Sequence, residues 1–174
     1  MGSSEGPAQV KSGEGVRQLR AFTGTPAAGS PARVSRRPAV SDFPVTVFHN
    51  PKCGTSRNAL AIVRAAGYEP EVVEYVKAGW TAEQLKALLE RMGAGPRAVL
   101  RTKGAPEEAL AKVAEGVSDD ALIAAMVEHP ILVERPIVAS PKGVVLARPS
   151  EQVVSVLERK PESFTKEDGT VVPL

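Results

Sequence analysis

A mixed α/β sheet interrupted by a helical insertion is the architecture that the segment order of this chain predicts. Three observations lead to it. Residues 44–48, Pro-Val-Thr-Val-Phe, form a short β-branched and aromatic run, and a helical segment and a second strand-like run follow within about thirty residues. Strand, helix, strand over that distance is a βαβ unit, which implies parallel pairing. Residues 81–128 then read as successive helical pieces, and two more apolar runs flank a Pro- and Gly-containing turn near the C-terminal end.

The elements follow in order. After the first strand, His49-Asn50-Pro51-Lys52-Cys53-Gly54 is a loop marked by Pro and Gly, and a helix is predicted from Thr55 to Ala66. It carries Leu60, Ile62 and Val63 inward and Gly67 as its C-terminal stop. A second strand is predicted from Glu71 to Tyr75. Thr81 with Gln84 forms a capping signature for a helix ending at Met92 and stopped by Gly93. Shorter helical pieces are expected at 96–100 and 107–114. Ser118-Asp119-Asp120 opens a further helix, with carboxylates at the positive end of its dipole, and Pro130 stops it. Residues 137–139 and 144–146 are strands joined by Ser140-Pro141-Lys142-Gly143. Pro149 begins a last helix over 151–158, and the segment from Lys160 reads as a loose polar tail. This order, βα, β, a helix-rich insert, then ββα, is the thioredoxin-like arrangement: a mixed sheet covered by helices.

Composition narrows the function. The chain has 174 residues, 22 Lys+Arg against 20 Asp+Glu, and 43% hydrophobic residues. A formal charge of +2 gives no electrostatic ground for a nucleic-acid partner. No apolar run approaches the ~18 residues of a membrane span. One cysteine excludes a disulfide framework, a four-thiolate zinc site and an internal dithiol couple; with two histidines besides, no metal site is expected.

Charge is unevenly placed. Residues 1–42 hold six basic and three acidic residues and are rich in Gly, Ser, Pro and Ala, with no apolar period. Such a segment cannot bury enough apolar surface to offset its chain entropy, so it is expected to be a disordered extension. Five arginines without an acid between Gly15 and Val40 give it a mild likeness to an organellar transit peptide. It has no apolar core of the secretory kind, and Gly6 stands where a myristoylation motif requires Ser or Thr. The folded domain is expected over 43–160, with a polar tail over 161–174.

Cys53 carries the chemistry. A lone cysteine is most simply a small buried hydrophobe. This one lies between a strand's carboxyl end and a helix's first turn, where the amides of Gly54, Thr55 and Ser56 are free to donate. Those donors and the helix dipole stabilise an anion, either a thiolate or a bound oxyanion. Lys52 and His49 add positive character nearby, and Arg57 stands one turn on. Ser56 and Asn58 read as helix caps. Spacing sorts the thiol chemistries: a dithiol motif needs a second cysteine where Ser56 stands, and a phosphatase-type loop needs an arginine where Ala59 stands. His129 reads as the end of its helix rather than as a protease base. A single nucleophilic thiol beside an anion pocket remains.

The segment His49-Asn50-Pro51-Lys52-Cys53-Gly54-Thr55-Ser56-Arg57-Asn58 resembles the active-site segment of the glutathione- and glutaredoxin-dependent arsenate reductases, over a likeness spanning 45–168. Further matching pieces are 97–101 (Arg-Ala-Val-Leu-Arg), 129–138 (His-Pro-Ile-Leu-Val-Glu-Arg-Pro-Ile-Val), 148–151 (Arg-Pro-Ser-Glu) and the ending around Phe164-Thr165-Lys166-Glu167-Asp168-Gly169. The resemblance implies that Arg101, Arg135 and Arg148 gather with the amides of Gly54, Thr55 and Ser56 around an arsenate ion. It also implies that Cys53 is the nucleophile and that His49 lowers its pKa. Guanidinium forks suit tetrahedral oxyanions because they donate paired, charge-assisted hydrogen bonds. Arg135-Pro136 falls where thioredoxin-like folds place a cis-proline, so a cis bond is expected there. Lys52, in place of a small residue, and Ala78-Gly79-Trp80, in place of a proline-rich turn, depart from the family pattern.

The same resemblance implies glutathione as co-substrate, glutaredoxin as partner, no bound cofactor, a monomer and a cytoplasmic location. It also implies arsenate reduction for arsenical resistance. Three other readings on this fold are a related reductase acting on another oxidant, a thiol transferase and a redox-responsive transcription regulator. The regulator reading is weakened because Ser56 removes the Cys-x-x-Cys pair that such sensors use.

Overall fold

A computed structural model describes residues 43–174, and the expected extension over 1–42 lies outside the described residues. The central sheet has four strands in the order β2-β1-β3-β4, with β1 at Thr46–Phe48, β2 at Glu71–Val73, β3 at Ile137–Ser140 and β4 at Gly143–Leu146. β1 runs parallel to β2, pairing Val47 with Val72, and antiparallel to β3, pairing Val47 with Val138. β3 and β4 form the predicted hairpin, with Ser140 opposite Gly143.

Alternation along these strands builds two apolar layers. Val47 and Val138 face one side, where they join Leu60, Ile62 and Val63 of α1 (Gly54–Ala65) and Val153 and Val156 of a 3-10 segment, Ser150–Val156. Phe48, Ile137 and Ala139 face the other side, toward the insertion. There α3 (Ala82–Met92) supplies Leu85, Leu88 and Leu89, and α5 (Asp119–Glu128) supplies Leu122, Ile123 and Met126. Successive strand residues point to opposite faces, so β1 and β3 each serve both layers. Each fully buried branched side chain, such as Ile62 or Leu122, contributes on the order of 1.5–3 kcal/mol through burial.

Local signals hold where they depend on one residue. Thr81 Oγ1 accepts from the Gln84 amide at 3.1 Å and starts α3, and Gly93 ends it in the left-handed region at φ +67°. Ser118 Oγ accepts from the Ala121 amide at the start of α5, and His129 closes that helix. The remaining short pieces are a 3-10 turn at Pro96–Val99, α4 at Glu107–Ala111 and a 3-10 turn at Pro130–Leu132.

Three expectations are corrected. The second strand stops at Val73, and Tyr75 instead opens a short helix, α2 (Tyr75–Ala78). Tyr75 turns inward, where its hydroxyl donates to the Val133 carbonyl at 3.0 Å and its ring meets Trp80 at 5.1 Å. The last helix is the 3-10 segment already described, shorter than 151–158 suggested. The C-terminal residues are not loose: β5 (Ser163–Thr165) and β6 (Val171–Pro173) pair as a second hairpin. Its tip reaches back to α1, through contacts that polarity alone does not reveal.

Candidate active site

The N-terminus of α1 positions Cys53. The residue is the helix N-cap in extended conformation, its amide donating to the Asn50 carbonyl at 3.0 Å and its carbonyl accepting from the Arg57 amide at 3.0 Å. No side chain caps this helix. Ser56 and Asn58 therefore do not cap it, and the sequence-based reading of both is corrected. Ser56 is fully buried, and its Oγ lies 2.9 Å from His49 Nδ1 and accepts from the Asn50 amide at 3.1 Å. Asn50 Oδ1 accepts from the Lys52 amide at 2.9 Å. These bonds fold the loop tightly from both ends and leave Cys53 half-buried at its apex.

Burial pushes the Cys53 thiol up, but the Ser56 amide and the guanidinium of Arg135, aided by the charge of Arg148, outweigh it. The thiol sits below its ordinary value. Burial pushes His49 below its usual value of 6.5, more than Glu74 and Ser56 raise it, so at neutral pH the imidazole is uncharged. Its side-chain contact is with Ser56, the residue whose amide acts on the sulfur. The charge of Arg57 also acts on Cys53, although its donors are engaged by other groups. Its Nε and Nη2 donate to the two oxygens of Glu167 at 2.6 and 2.8 Å, and its Nη1 donates to the Pro51 carbonyl at 2.7 Å.

Arg135 and Arg148 both precede cis prolines, Pro136 and Pro149, the first as expected. Arg135 comes from the segment before β3, and Arg148 from the segment after β4. Hairpin pairing of Ile137 with Leu146 brings these two ends together, and Arg148 Nη1 donates to the Arg135 carbonyl at 3.1 Å. Arg101 arrives by a separate route. An isolated bridge between Leu100 and Val133 sets it beside Glu134, whose carboxylate lies 3.3 Å from Arg101 and 3.4 Å from Arg148. The Nε and Nη1 of Arg135 and the Nε of Arg101 are buried with no hydrogen-bond partner. Buried guanidinium donors left open are costly unless an acceptor arrives. Gly54 and Thr55 line a neighbouring polar cavity of about 330 Å³ with Pro149, Ser150 and Lys166-Glu167-Asp168.

Sequence reasoning missed Glu134, Asn50 and Tyr75. Glu134 lay inside a matched motif, yet nothing in the pattern told that its side chain would face two arginines rather than solvent. Asn50 could have been read as an Asx-type turn residue two positions before Lys52. Tyr75 was hidden by its reading as a strand end. Its phenol lies close enough to Arg135 for that charge to act on it, though burial dominates and holds its pKa above the ordinary value.

The site thus holds a thiol of lowered pKa at a helix N-terminus, beside Arg135 with open buried donors, on a thioredoxin-like sheet. Comparison with known proteins places the chain: the ArsC family model matches residues 48–156, and the chain belongs to the ArsC family. It is 50% identical over 129 residues to arsenate reductase ArsI2 of Synechocystis sp., covering 74% of this chain and 92% of that one. It is 44% identical over 129 residues to an arsenate reductase of Escherichia coli, with the same coverage. Among solved structures, an arsenate reductase from Vibrio cholerae aligns at a TM-score of 0.62 and 40% identity, over 66% of this chain and 98% of that one. No helix among the described residues is long and apolar enough to cross a membrane.

Proposed function

We propose that this protein reduces arsenate to arsenite through Cys53, with glutathione and glutaredoxin supplying the electrons. The observation that carries the reading is the lowered Cys53 thiol facing Arg135, whose buried donors have no protein acceptor. Similarity to the Synechocystis and Escherichia coli arsenate reductases supports arsenate as the oxyanion.

Arg101, Arg135 and Arg148 neutralise the bound arsenate, so that the negative thiolate can approach arsenic. This electrostatic relief is the main contribution to the rate. The sulfur attacks As(V), a Cys53 Sγ–As bond forms, and an arsenic oxygen leaves as water after taking up a proton. A glutathione thiolate then attacks Cys53 Sγ. The Sγ–As bond breaks, its electron pair stays on arsenic, arsenite is released, and Cys53 is left as a mixed disulfide with glutathione. A glutaredoxin thiolate takes the glutathionyl group and returns Cys53 to its thiolate. External thiols must supply the electrons because the chain has one cysteine. His49, neutral and bonded to Ser56, supports the loop rather than moving a proton. Gly54, Thr55 and Ser56 contribute amides at the helix end.

The test is arsenite production from arsenate with glutathione and glutaredoxin, comparing the protein with Cys53→Ser. Turnover in the former and none in the variant is expected. An intact protein with a reactive thiol, activity on glutathione mixed disulfides and no arsenite production would make it a thiol transferase instead.

A further inference from the structure

Guanidinium groups brought near one another repel, so Arg101 and Arg148, set close together, need something to hold them in place. Glu134 meets that need. Its Oε1 lies 3.3 Å from Arg101 Nη1 and its Oε2 lies 3.4 Å from Arg148 Nη1. The same Oε2 accepts from the Arg135 amide at 3.3 Å. One carboxylate therefore touches all three of the residues expected to hold the oxyanion, two through their charges and one through its backbone.

The main chain fixes this arrangement. The Arg101 amide donates to the Leu132 carbonyl at 2.7 Å and the Glu134 amide to the Val99 carbonyl at 2.8 Å, on either side of the Leu100–Val133 bridge. Glu134 and Arg101 are thereby neighbours across two paired segments, and both side chains are largely shielded, at 20% and 15% exposure. Each arginine gives Glu134 a single nitrogen. A guanidinium has five N–H donors, so most of them stay available. Those left open and buried are Arg101 Nε and Arg135 Nε and Nη1.

We infer that Glu134 is a positioning residue for oxyanion binding: it anchors Arg101 and Arg148 by one nitrogen each, so that their other donors are already oriented when the anion enters. The inference rests on the assignment of these arginines to the oxyanion. Preorganised donors need no reordering on binding, which is where the affinity arises. The opposite view makes Glu134 a competing counter-ion, whose removal would tighten binding.

Phosphate, which cannot be reduced, separates the two without turnover. Its affinity is read from protection of Cys53 against the neutral reagent iodoacetamide at fixed pH. The variants are Glu134→Gln, Glu134→Asp, Arg101→Gln and the double variant Glu134→Gln with Arg101→Gln, each checked for an intact thermal transition. Glu134→Gln is expected to weaken phosphate about five- to tenfold, the loss of one or two charge-assisted contacts. In the Arg101→Gln background the same change is expected to cost much less, because the two act through one contact. Glu134→Asp, one methylene shorter, should fall between wild type and Gln. In arsenate reduction by Glu134→Gln, KM should rise more than kcat falls.

Unchanged or tighter phosphate binding in Glu134→Gln overturns the inference, as does full additivity in the double variant. A lower melting temperature with unaltered phosphate affinity also overturns it, since the role would then be structural only. Wild-type protein that phosphate protects but that makes no arsenite would sink the proposed function while leaving the role of Glu134 to be decided by the phosphate series.

Discussion

Arg57 and Glu167, 110 residues apart, form a two-pronged ion pair that joins the helix carrying Cys53 to the tip of the C-terminal hairpin. The Glu167 amide also donates to Asn58 Oδ1 at 3.2 Å, and Lys166 pairs with Glu151 at 2.5 Å. Arg57 meanwhile holds the Pro51 carbonyl, so the hairpin is linked to the Cys53 loop through one side chain. Both partners are about half exposed, and an exposed pair adds little to global stability. Its effect is local. Glu167→Gln is expected to raise amide hydrogen exchange across 163–173 and in the 50–53 loop, with the global unfolding midpoint nearly unchanged. Unaltered exchange in the loop would show that the hairpin does not restrain it.

The Cys53 thiol should titrate below an ordinary cysteine. The pH dependence of iodoacetamide alkylation gives that midpoint directly. Arg135→Gln removes a hydrogen-bonding and charged neighbour of the thiolate, so the midpoint is expected to move upward, with a smaller upward move in Arg148→Gln. The sign of the linked stability follows. A thiol whose pKa is lower folded than unfolded adds stability as pH rises from the folded value, reaching its full amount above the unfolded one. The stability difference between wild type and Cys53→Ser should therefore widen in favour of wild type across that window.

His49 has the complementary acid behaviour. Burial lowers its pKa below 6.5, so between the folded and unfolded values the unfolded chain binds the extra proton. Stability is expected to fall as pH drops below about 6.5, before the carboxylates begin to titrate. Denaturant midpoints from pH 7.5 to 5 should show this slope in wild type, and a flatter one in His49→Gln. The substitution should also raise the Cys53 titration midpoint, because Ser56 loses the partner that helps fix the helix end.

Trp80 is 5% exposed and lies against Phe48 at 4.9 Å and Tyr75 at 5.1 Å between ring centroids. Trp80→Ala is expected to destabilise the protein by about 3–5 kcal/mol, the usual cost of emptying a large aromatic site. Trp80→Phe should recover most of it, since the indole Nε1 has no hydrogen-bond partner to lose. Equilibrium urea unfolding measures both.

Features that act within a few residues of one another are readable from the chain alone. The apolar strand runs near 45–48 and 137–139, the Thr81 and Ser118 caps, the Gly93 stop and the placement of Cys53 at a helix end are local consequences of side-chain shape and hydrogen bonding, and the structure has them. The arginine positions were legible only through resemblance, because spacing cannot reveal which of many surface cations converge. Tertiary structure decided the rest. The bridge at Leu100–Val133 and the β3–β4 pairing bring Arg101, Glu134, Arg135 and Arg148 together from three chain segments. Burial lowers the pKa of His49, and the pairing of Arg57 with Glu167 docks the C-terminal hairpin on the helix that follows Cys53. Charge, exposure and partner depend on what a distant segment places alongside, and no window of sequence contains that information.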